Sequence, residues 1–364
     1  MRTIRMTLLL VLFFSVAAVA QKGGENETGP YDLASSWPIP VCGAGFQSGS
    51  TGGVWAETPD TVFVLQRGCL PAIPPPNGIV PSRNASQYSL AAENPANHPR
   101  WDHILVVYNR EGKKVESWEQ HNKLFVRPHR VVMSPYDPEH HVWVIDDGAH
   151  SIYKFTRDGK QLVMTLGEFR KPASDQTHFG RPTDIAWLPN GDFFVSDGYE
   201  NTRVVKFNKD GKYLLEWGKP GKTGPAEFNT VHGIAVDNQR RVYVADRANS
   251  RIQIFDENGK FLDQWNNIRY PYYIYMSRDQ HLWVGDGYTN KILKYDLNGK
   301  LLYSWGTFGA FPGGIWGPHQ FSVDSENNFY IADVHNGRIQ KFTPKRGADA
   351  ATLVGQRFEA NPRR

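Results

Sequence analysis

The sequence predicts an all-β fold, a six-bladed β-propeller, and three observations support this prediction. A short strand signature recurs along the chain and carries an acidic residue in most copies. A hairpin around a Gly-Lys turn follows nearly every copy. The copies repeat at roughly 40–50 residues, a period typical of propeller blades that hold several strands each.

The signature strand defines the blades, because its aromatic and β-branched residues favour a buried strand. Its copies are FVLQR ending at Arg67, WVIDD ending at Asp147, FVSDG at 194–198, YVADR at 243–247, WVGDG at 283–287 and YIADV at 330–334. The segment before each copy is expected to be the innermost strand of its blade, lining the central channel. The last copy is followed by RIQKFTPKR without a final strand. We expect a strand near Cys42 to complete that blade and close the ring.

Four segments flank or interrupt the predicted propeller. Two arginines, an apolar run and small residues up to Ala20 predict a signal peptide, and hence a secreted or periplasmic protein. No later apolar run is long enough to span a membrane. The assignments are a signal peptide at 1–20, a flexible lead-in at 21–35, the propeller at 36–346 with an inserted loop at 69–100, and a flexible tail at 347–364.

Composition narrows the function classes. The formal net charge is +4 with acids and bases interspersed, so no basic stripe indicates nucleic-acid binding. The two cysteines, Cys42 and Cys69, form a disulfide or remain two unpaired thiols, and export favours the disulfide. We expect a monomer.

Three histidines occupy equivalent positions in alternate copies of the repeat: His129, His232 and His319. The same position holds Thr183 and Tyr272 in the third and fifth copies. Alternate blades of a six-bladed ring lie about 120° apart, so the imidazoles should converge on the axis. Three neutral imidazoles with an open fourth position are typical of catalytic zinc, although iron, cobalt and copper accept the same ligands. The alternative is three hydrogen-bonded channel residues without a metal. The other histidines, His335 among them, lack this position and are interpreted as surface or packing residues.

Tyr199, Arg67 and Arg247 follow signature strands and are expected on loops near the axis. A tyrosine beside a divalent cation can serve as a base. However, Tyr288 repeats its position in the fifth copy, which favours a partly structural role. Arginines beside a cation suggest that an anion binds there, since a guanidinium grips a carboxylate through two hydrogen bonds.

The chain resembles the NHL-repeat propellers, and among them it is similar to peptidyl-α-hydroxyglycine α-amidating lyase. The segments that carry the resemblance include LFVRPHRVV, FVSDGYENTRVVKF, VHGIAVD, VADRANSRIQIF and GPHQFSVD. It implies that the three histidines bind zinc, that Tyr199 is the catalytic base, and that Arg67 and Arg247 are active-site arginines. The implied reaction cleaves a C-terminal α-hydroxyglycine of a peptide, or a related α-hydroxy-amide, into an amide and glyoxylate.

The resemblance also implies a calcium ion in the channel, held by the carbonyls of Val54 and Val131 and by an aspartate side chain. That aspartate position is Gln320 here. A neutral amide is a weaker ligand for a hard cation than a carboxylate, which argues against calcium. The loop 69–100 has no counterpart in the family, and Glu200 stands where the animal lyases have a cysteine.

Two other functions compete with the zinc lyase. One is a non-catalytic NHL propeller that binds a protein or glycan on its loop face, since propellers host many functions. The other is a lactonase-like hydrolase, which uses an axial calcium with carboxylate and amide ligands. The histidines, Thr183 and Tyr272 at the axis argue against the hydrolase.

Overall fold

Six antiparallel sheets of four strands form the blades of a β-propeller in the part of the chain that the structure describes. The structure is a computed structural model, and it describes residues 27–72 and 100–358. Each innermost strand contacts the innermost strand of the next blade, and the sixth contacts the first, which closes the ring. The predicted fold is confirmed. The predicted signal peptide and most of the loop 69–100 lie outside the described residues.

The strands are numbered in chain order. The first described strands are β1 (Tyr31–Leu33) and β2 (Phe46–Ser48). In blade one, β3 (Thr51–Thr58) and β4 (Thr61–Gln66) come first, β5 (Cys69–Pro71) leaves to pair with β2, and β6 (Leu105–Tyr108) and β7 (Lys114–Ser117) complete the sheet. Blade two contains β8 (Pro128–Met133), β9 (Val142–Asp146), β10 (Ser151–Phe155) and β11 (Leu162–Leu166). Blade three contains β12 (Pro182–Trp187), β13 (Phe193–Asp197), β14 (Arg203–Phe207) and β15 (Tyr213–Trp217).

The second half of the ring repeats this order after a short parallel pair, β16 (Lys219–Pro220) and β17 (Glu227–Phe228). Blade four contains β18 (Val231–Val236), β19 (Val242–Asp246), β20 (Arg251–Phe255) and β21 (Phe261–Trp265). Blade five contains β22 (Pro271–Met276), β23 (Leu282–Asp286), β24 (Lys291–Tyr295) and β25 (Leu301–Trp305). Blade six contains β26 (Pro318–Val323), β27 (Phe329–Asp333) and β28 (Arg338–Pro344). Short 3-10 helices span Glu119–Leu124, Arg247–Asn249 and Ala350–Thr352, and none of the described helices has the length and hydropathy of a membrane span.

The signature aspartate has a structural role in each blade that carries it. In blade two, the buried Asp146 carboxylate accepts hydrogen bonds from the N–H groups of Val126, Arg127 and Ala149 at 2.7–2.9 Å. In blade three, Asp197 accepts one from Gly180 in the same way. The carboxylate thereby satisfies backbone donors that burial would otherwise leave unpaired. It fixes the loop that leads into the innermost strand, and this is why it recurs.

The strand that closes the ring comes from a different place than the sequence predicted. It is β1, whose Tyr31 and Leu33 pair with Pro344 and Phe342 of β28. The prediction placed this strand near Cys42 and assigned 21–35 to a flexible lead-in. The buried Tyr31 ring explains the difference, because it packs 5.4 Å from Trp305 and 5.6 Å from Phe329 between ring centroids.

The chain near Cys42 has another role. Cys42 forms a disulfide with Cys69, so the paired alternative is the one observed. Cys69 begins β5, which pairs with β2 beside blade one. The disulfide and this two-stranded sheet therefore hold the base of the inserted loop.

The described part of the predicted tail crosses one end of the channel, here called the lower end, at which the innermost strands finish. Arg357 donates to the carbonyls of Ala56 and Glu57 in and beside blade one. Gln356 donates to the Asp324 carbonyl at 2.7 Å, and the Tyr275 hydroxyl donates to the Gly355 carbonyl at 3.1 Å. Up to residue 358, the segment predicted to be a flexible tail therefore links blades one, five and six.

We predict that Tyr31→Ala destabilises the protein by about 3–5 kcal/mol, the range for removing a buried aromatic ring. Tyr31 is 0% exposed and closes the sixth blade, so both packing and closure are lost. Thermal unfolding measures the effect. The control is Tyr288→Ala, since Tyr288 is 75% exposed and should matter little. Equal Tm values for the two variants would contradict the assignment of β1 as the closing strand.

Candidate metal centre

Each innermost strand is interrupted by a β-bulge at the same position. The pairing with the signature strand shifts by one residue there in every blade. The residues at the bulge are Gly52, His129, Thr183, His232, Tyr272 and His319. A bulge re-aims one side chain without disturbing the rest of the strand, and bulges are common beside active sites. Six equivalent bulges place one ring of residues around the axis, and this ring is the upper layer of the channel.

The three histidines of this ring converge, as the sequence predicted. Their ligand atoms all lie within 4.8 Å of one another, and all three side chains are buried. The ring centroids of His129 and His319 are 4.5 Å apart, and those of His129 and His232 are 4.9 Å apart. The site can therefore hold one ion between three imidazoles.

Each imidazole is oriented by the backbone of the next blade. The Nδ1 atom of His129 lies 2.7 Å from the Thr183 carbonyl, that of His232 2.5 Å from the Tyr272 carbonyl, and that of His319 2.7 Å from the Gly52 carbonyl. A carbonyl oxygen can only accept, so each Nδ1 carries the proton and donates it. Each Nε2 then keeps its lone pair for a metal, an arrangement that metal-binding histidines commonly show. The blades without histidine thus supply the carbonyls at the equivalent position.

Gly52 shows why blade one has no side chain at this position. A Cβ atom there would lie 2.4 Å from the Pro128 carbonyl oxygen of blade two. Backbone cannot move away as a flexible side chain can, so only glycine fits. The close approach lets the Gly52 carbonyl meet His319 from blade six.

Electrostatics keep the imidazoles neutral. Burial, followed by the charges of His319, His232 and Arg130, holds the pKa of His129 well below its usual value. The pKa values of His232 and His319 are also well below the usual value, for the same first reason and through nearby arginines. Neutral imidazole is the form that binds a metal. The donor set, its tautomers and its charge state therefore all fit a metal ion.

Tyr199 lies at the open side of the three histidines. Its phenol oxygen is 2.8 Å from Nε2 of His232 and 3.2 Å from Nε2 of His129. Burial opposes ionisation of the phenol, but the charges of Arg247 and Arg127 outweigh it and hold the pKa of Tyr199 below its usual value. The Tyr199 phenol oxygen is therefore positioned to contact a molecule bound at the open side of the three histidines.

The two predicted arginines also come to the site. Arg247 lies 4.9–5.2 Å from the ring centroids of Tyr199, Tyr270 and Tyr272, and its Nη1 is 3.5 Å from the Tyr199 phenol oxygen. Its Nε is buried and has no hydrogen-bond partner among the described residues. Arg67 is fully buried and donates to the Pro128 carbonyl at 3.1 Å. Burial and the nearby charge of Arg127 lower the pKa of Arg67 to about 9, which leaves it a cation at neutral pH.

Two further arginines were missed in the sequence. The guanidinium groups of Arg181 and Arg127 lie 4.7 and 5.5 Å from the Tyr199 ring centroid, and both pair with the buried Asp147. Asp147 is the residue after the signature aspartate of blade two, the position that Arg67 and Arg247 hold in their blades. That shared position could have identified Asp147. Arg127 and Arg181 also share a position, since each directly precedes the proline that begins its innermost strand.

His335 was also missed, having been interpreted as a surface or packing residue. Its Nε2 lies 3.1 Å from the Tyr272 hydroxyl, and its ring centroid lies 5.4 Å from that of Trp316. Tyr272 in turn lies 5.4 Å from His232 between ring centroids. These aromatic side chains form one wall from the histidines toward the surface.

The channel below the histidines does not fit the calcium ion that the resemblance implied. The Val131 carbonyl, one expected ligand, accepts a hydrogen bond from Gln320 Nε2 at 2.8 Å. Gln320 Oε1 faces the N–H groups of Val54 and Val131 at 3.3 and 3.5 Å. Both ends of the amide are therefore used within the protein, and neither is offered to a cation.

Comparison with known proteins adds to this geometry. The chain matches the NHL repeat family at residues 179–207, 228–255 and 316–342, in blades three, four and six. It is 35% identical over 167 residues to peptidyl-glycine alpha-amidating monooxygenase B of Xenopus laevis, covering 44% of this chain and 18% of that protein. It is 35% identical over 196 residues to peptidyl-alpha-hydroxyglycine alpha-amidating lyase 1 of Drosophila melanogaster, covering 50% and 34%. It is 34% identical over 179 residues to NHL repeat-containing protein 3 of Homo sapiens, covering 46% and 50%. The aligned region spans no more than half of any of these relatives. The chain is a six-bladed propeller with NHL repeats, and it resembles the peptidyl-α-hydroxyglycine α-amidating lyases.

Proposed function

We propose that this chain is a zinc-dependent lyase that cleaves peptidyl-α-hydroxyglycine, or a related α-hydroxy-amide, into an amide and glyoxylate. The observation that carries the proposal is the convergence of three buried Nε2 atoms with Tyr199 and Arg247 directly beside them. Relatives named as amidating lyases support it. The centre would supply what the reaction needs: a metal held by the histidines, a base and a cation for the carboxylate.

His129, His232 and His319 would hold the zinc ion. Three imidazoles with a fourth position open suit zinc in a catalytic rather than a structural role. When bound, the ion supplies a Lewis acid that lowers the pKa of a hydroxyl group beside it. The proposal does not require calcium, and Gln320 Nε2 already donates to the Val131 carbonyl, one of the ligands expected for that ion.

Tyr199 would act on the hydroxyl proton of the substrate. Its oxygen lies within hydrogen-bond distance of two Nε2 atoms, so a hydroxyl group at the centre is within its reach. As Tyr199 takes the proton, the C–O bond becomes the aldehyde of glyoxylate and the C–N bond breaks. The amide nitrogen leaves with the bonding pair and receives the proton. No oxidant or reductant is needed.

Arg247 and Arg67 would hold the carboxylate of the α-hydroxyglycine. Arg247 has a buried Nε without a partner among the described residues, and a carboxylate can accept from it. Its guanidinium is fixed by three tyrosine rings, so little freedom is lost on binding. In this proposal the carboxylate lies on the Tyr199 side of the histidines.

We also propose that the protein is exported. The predicted signal peptide at 1–20 and the Cys42–Cys69 disulfide both support this, because disulfides persist in oxidising compartments. The proposed substrate is a small molecule or a peptide. The oligomeric state is proposed to be a monomer.

A different function, binding of a protein or glycan by the loop face, is the alternative. The observation that favours it is the similarity to NHL repeat-containing protein 3, a relative whose name states no catalytic activity. One assay distinguishes the two functions: it measures glyoxylate release from α-hydroxyhippurate by the zinc-loaded protein. Release that stops on chelation supports the lyase, and no release from folded, zinc-loaded protein supports the binding function.

His232→Ala is expected to lose the bound zinc, because two imidazoles cannot complete the site. Metal content after dialysis, measured by mass spectrometry, checks this. His178→Ala is the control, since His178 pairs with Asp175 and Glu168 away from the centre. Retention of one zinc per chain by His232→Ala would contradict the assignment of the ligands.

Tyr199→Phe is expected to keep the zinc and the Tm but to lower kcat by about 10²–10⁴-fold, the usual contribution of a general base. Glyoxylate release from α-hydroxyhippurate provides the measurement. The metal content of the variant serves as the internal control. Full activity in Tyr199→Phe would show that another group takes the proton.

Arg247→Met is expected to raise KM by about 10–100-fold, because a charged hydrogen bond to a carboxylate contributes about 1.5–3 kcal/mol. Steady-state kinetics with α-hydroxyhippurate test it. Arg241→Met is the matched control: Arg241 is in the same blade but pairs with Asp237 at the other end of the strand. If both variants had the KM of the unmodified protein, Arg247 would not bind the carboxylate.

A further inference from the structure

A second ring of residues lies directly below the histidines. It consists of the first residue after the bulge in each innermost strand. These residues, here called the plug ring, are Gly53, Arg130, Asp184, Gly233, Tyr273 and Gln320. Except for the two glycines, their side chains are buried, and three of them are polar or charged. The plug ring therefore places buried polar and charged side chains in the channel, and these side chains need hydrogen-bond or ion-pair partners.

Arg130 connects this ring across the axis. From blade two it donates to the His319 carbonyl of blade six, and through Nη2 to the Tyr272 carbonyl of blade five at 2.9 Å. Its Nε lies 3.7 Å from the Asp184 carboxylate of blade three. Its guanidinium carbon lies 4.6 Å from the Tyr273 ring centroid. One buried cation thus holds four blades together at the centre of the protein.

Gln320 completes the arrangement on the opposite side. Its amide links β26 to Val131 in blade two and to Val54 in blade one. A Cβ atom on Gly53 would lie 2.4 Å from Gln320 Oε1, so glycine makes room for this amide. The contacts of Arg130 and Gln320 together join blades one, two, three, five and six.

A divalent ion has no place beside these groups. Backbone carbonyls in the channel already accept from a guanidinium and an amide. The one carboxylate of the plug ring, Asp184, faces the guanidinium. A second cation would meet the charge of Arg130 without a free anionic ligand, and hard cations require oxygen ligands.

We propose that the Arg130 guanidinium is the structural cation of the channel, in place of a bound divalent ion, and that it positions His232 and His319. The positioning follows from shared atoms. The Tyr272 carbonyl that receives Nη2 of Arg130 also receives Nδ1 of His232. Arg130 Nη1 donates to the His319 carbonyl and so holds the backbone that carries this imidazole. The positioning role rests on the proposed zinc site, which His232→Ala tests on its own, and it does not depend on the proposed reaction.

The first test uses the unmodified, zinc-loaded protein. Thermal unfolding is compared with and without millimolar calcium chloride, since a ligand of the folded state raises Tm. The expected result is the same Tm in both. A calcium-dependent rise of several degrees would overturn the proposal.

The second test measures zinc binding in Arg130→Met. The variant is expected to bind zinc about 10–100-fold more weakly, the usual loss when a group that orients a metal ligand is removed. Visible absorption of the cobalt-substituted protein reports the ligand geometry and should change as well. Arg130→Lys keeps a charge and should retain tighter binding than Arg130→Met. Unchanged zinc affinity and cobalt spectrum in Arg130→Met would overturn the positioning role.

Arg251→Met is the matched control for buried arginine. Arg251 is 3% exposed and pairs with Asp246, but it contacts none of the three histidines. It should lower Tm and leave the zinc affinity unchanged. If Arg130→Met does not fold, the calcium test on the unmodified protein still decides the first half of the proposal, and Arg130→Lys decides the second.

The third test is a gain of calcium binding. In Arg130→Ala/Gln320→Asp the guanidinium is gone and a carboxylate faces the Val131 carbonyl. This double variant is expected to show a calcium-dependent rise in Tm, whereas Gln320→Asp alone is not, because Arg130 remains. A folded double variant that ignores calcium would overturn the statement that Arg130 stands in for a divalent ion.

Discussion

The hydrogen bond from each histidine to the backbone of the next blade is the interaction on which the centre depends. Each imidazole takes its orientation and tautomer from a carbonyl outside its own sheet. The geometry of the centre is therefore set by how blades pack against each other and not by any single blade. A rotation of one blade would move a carbonyl and so turn the imidazole that depends on it.

Much of this fold could be predicted from the sequence, because the spacing of the repeated signature strands gives the length and number of the blades. The signature strands, the innermost position of the histidine strands and the convergence of the three imidazoles all follow from spacing. The bulges could not be predicted in this way. Every copy contains the extra residue, so the spacing between copies does not reveal it. The roles of the Gly52, Thr183 and Tyr272 carbonyls could not be predicted either, because every residue has a backbone carbonyl and the residue type does not show which one accepts from a histidine. Spacing showed where histidine was absent, and the structure shows what those positions do instead.

The predictions of the closing strand and of the flexible tail, which differ from the structure, concern segments outside the repeat. The closing strand β1 contains only three residues, YDL, and no pattern distinguishes so short a strand from its surroundings. What identifies it is the buried Tyr31 ring between aromatic residues from the far end of the chain. Arg127 and Arg181 each precede the proline that begins an innermost strand, and His335 holds in the sixth copy the position that Tyr199 holds in the third. The repeat marks these positions, but it does not show which of the side chains contact the centre. Long-range contacts of this kind are fixed by closure of the ring, and local sequence does not encode them.

Closure of the ring also determines when the centre comes into existence during folding. The third imidazole is held by a carbonyl of the first blade, and the strand that seals the last blade comes from the beginning of the chain. No partial ring, however many blades it contains, presents all three ligands in their final orientation. An ion can therefore be captured with full affinity only by the finished molecule. In an exported chain, the metal would have to be acquired in the compartment where folding ends.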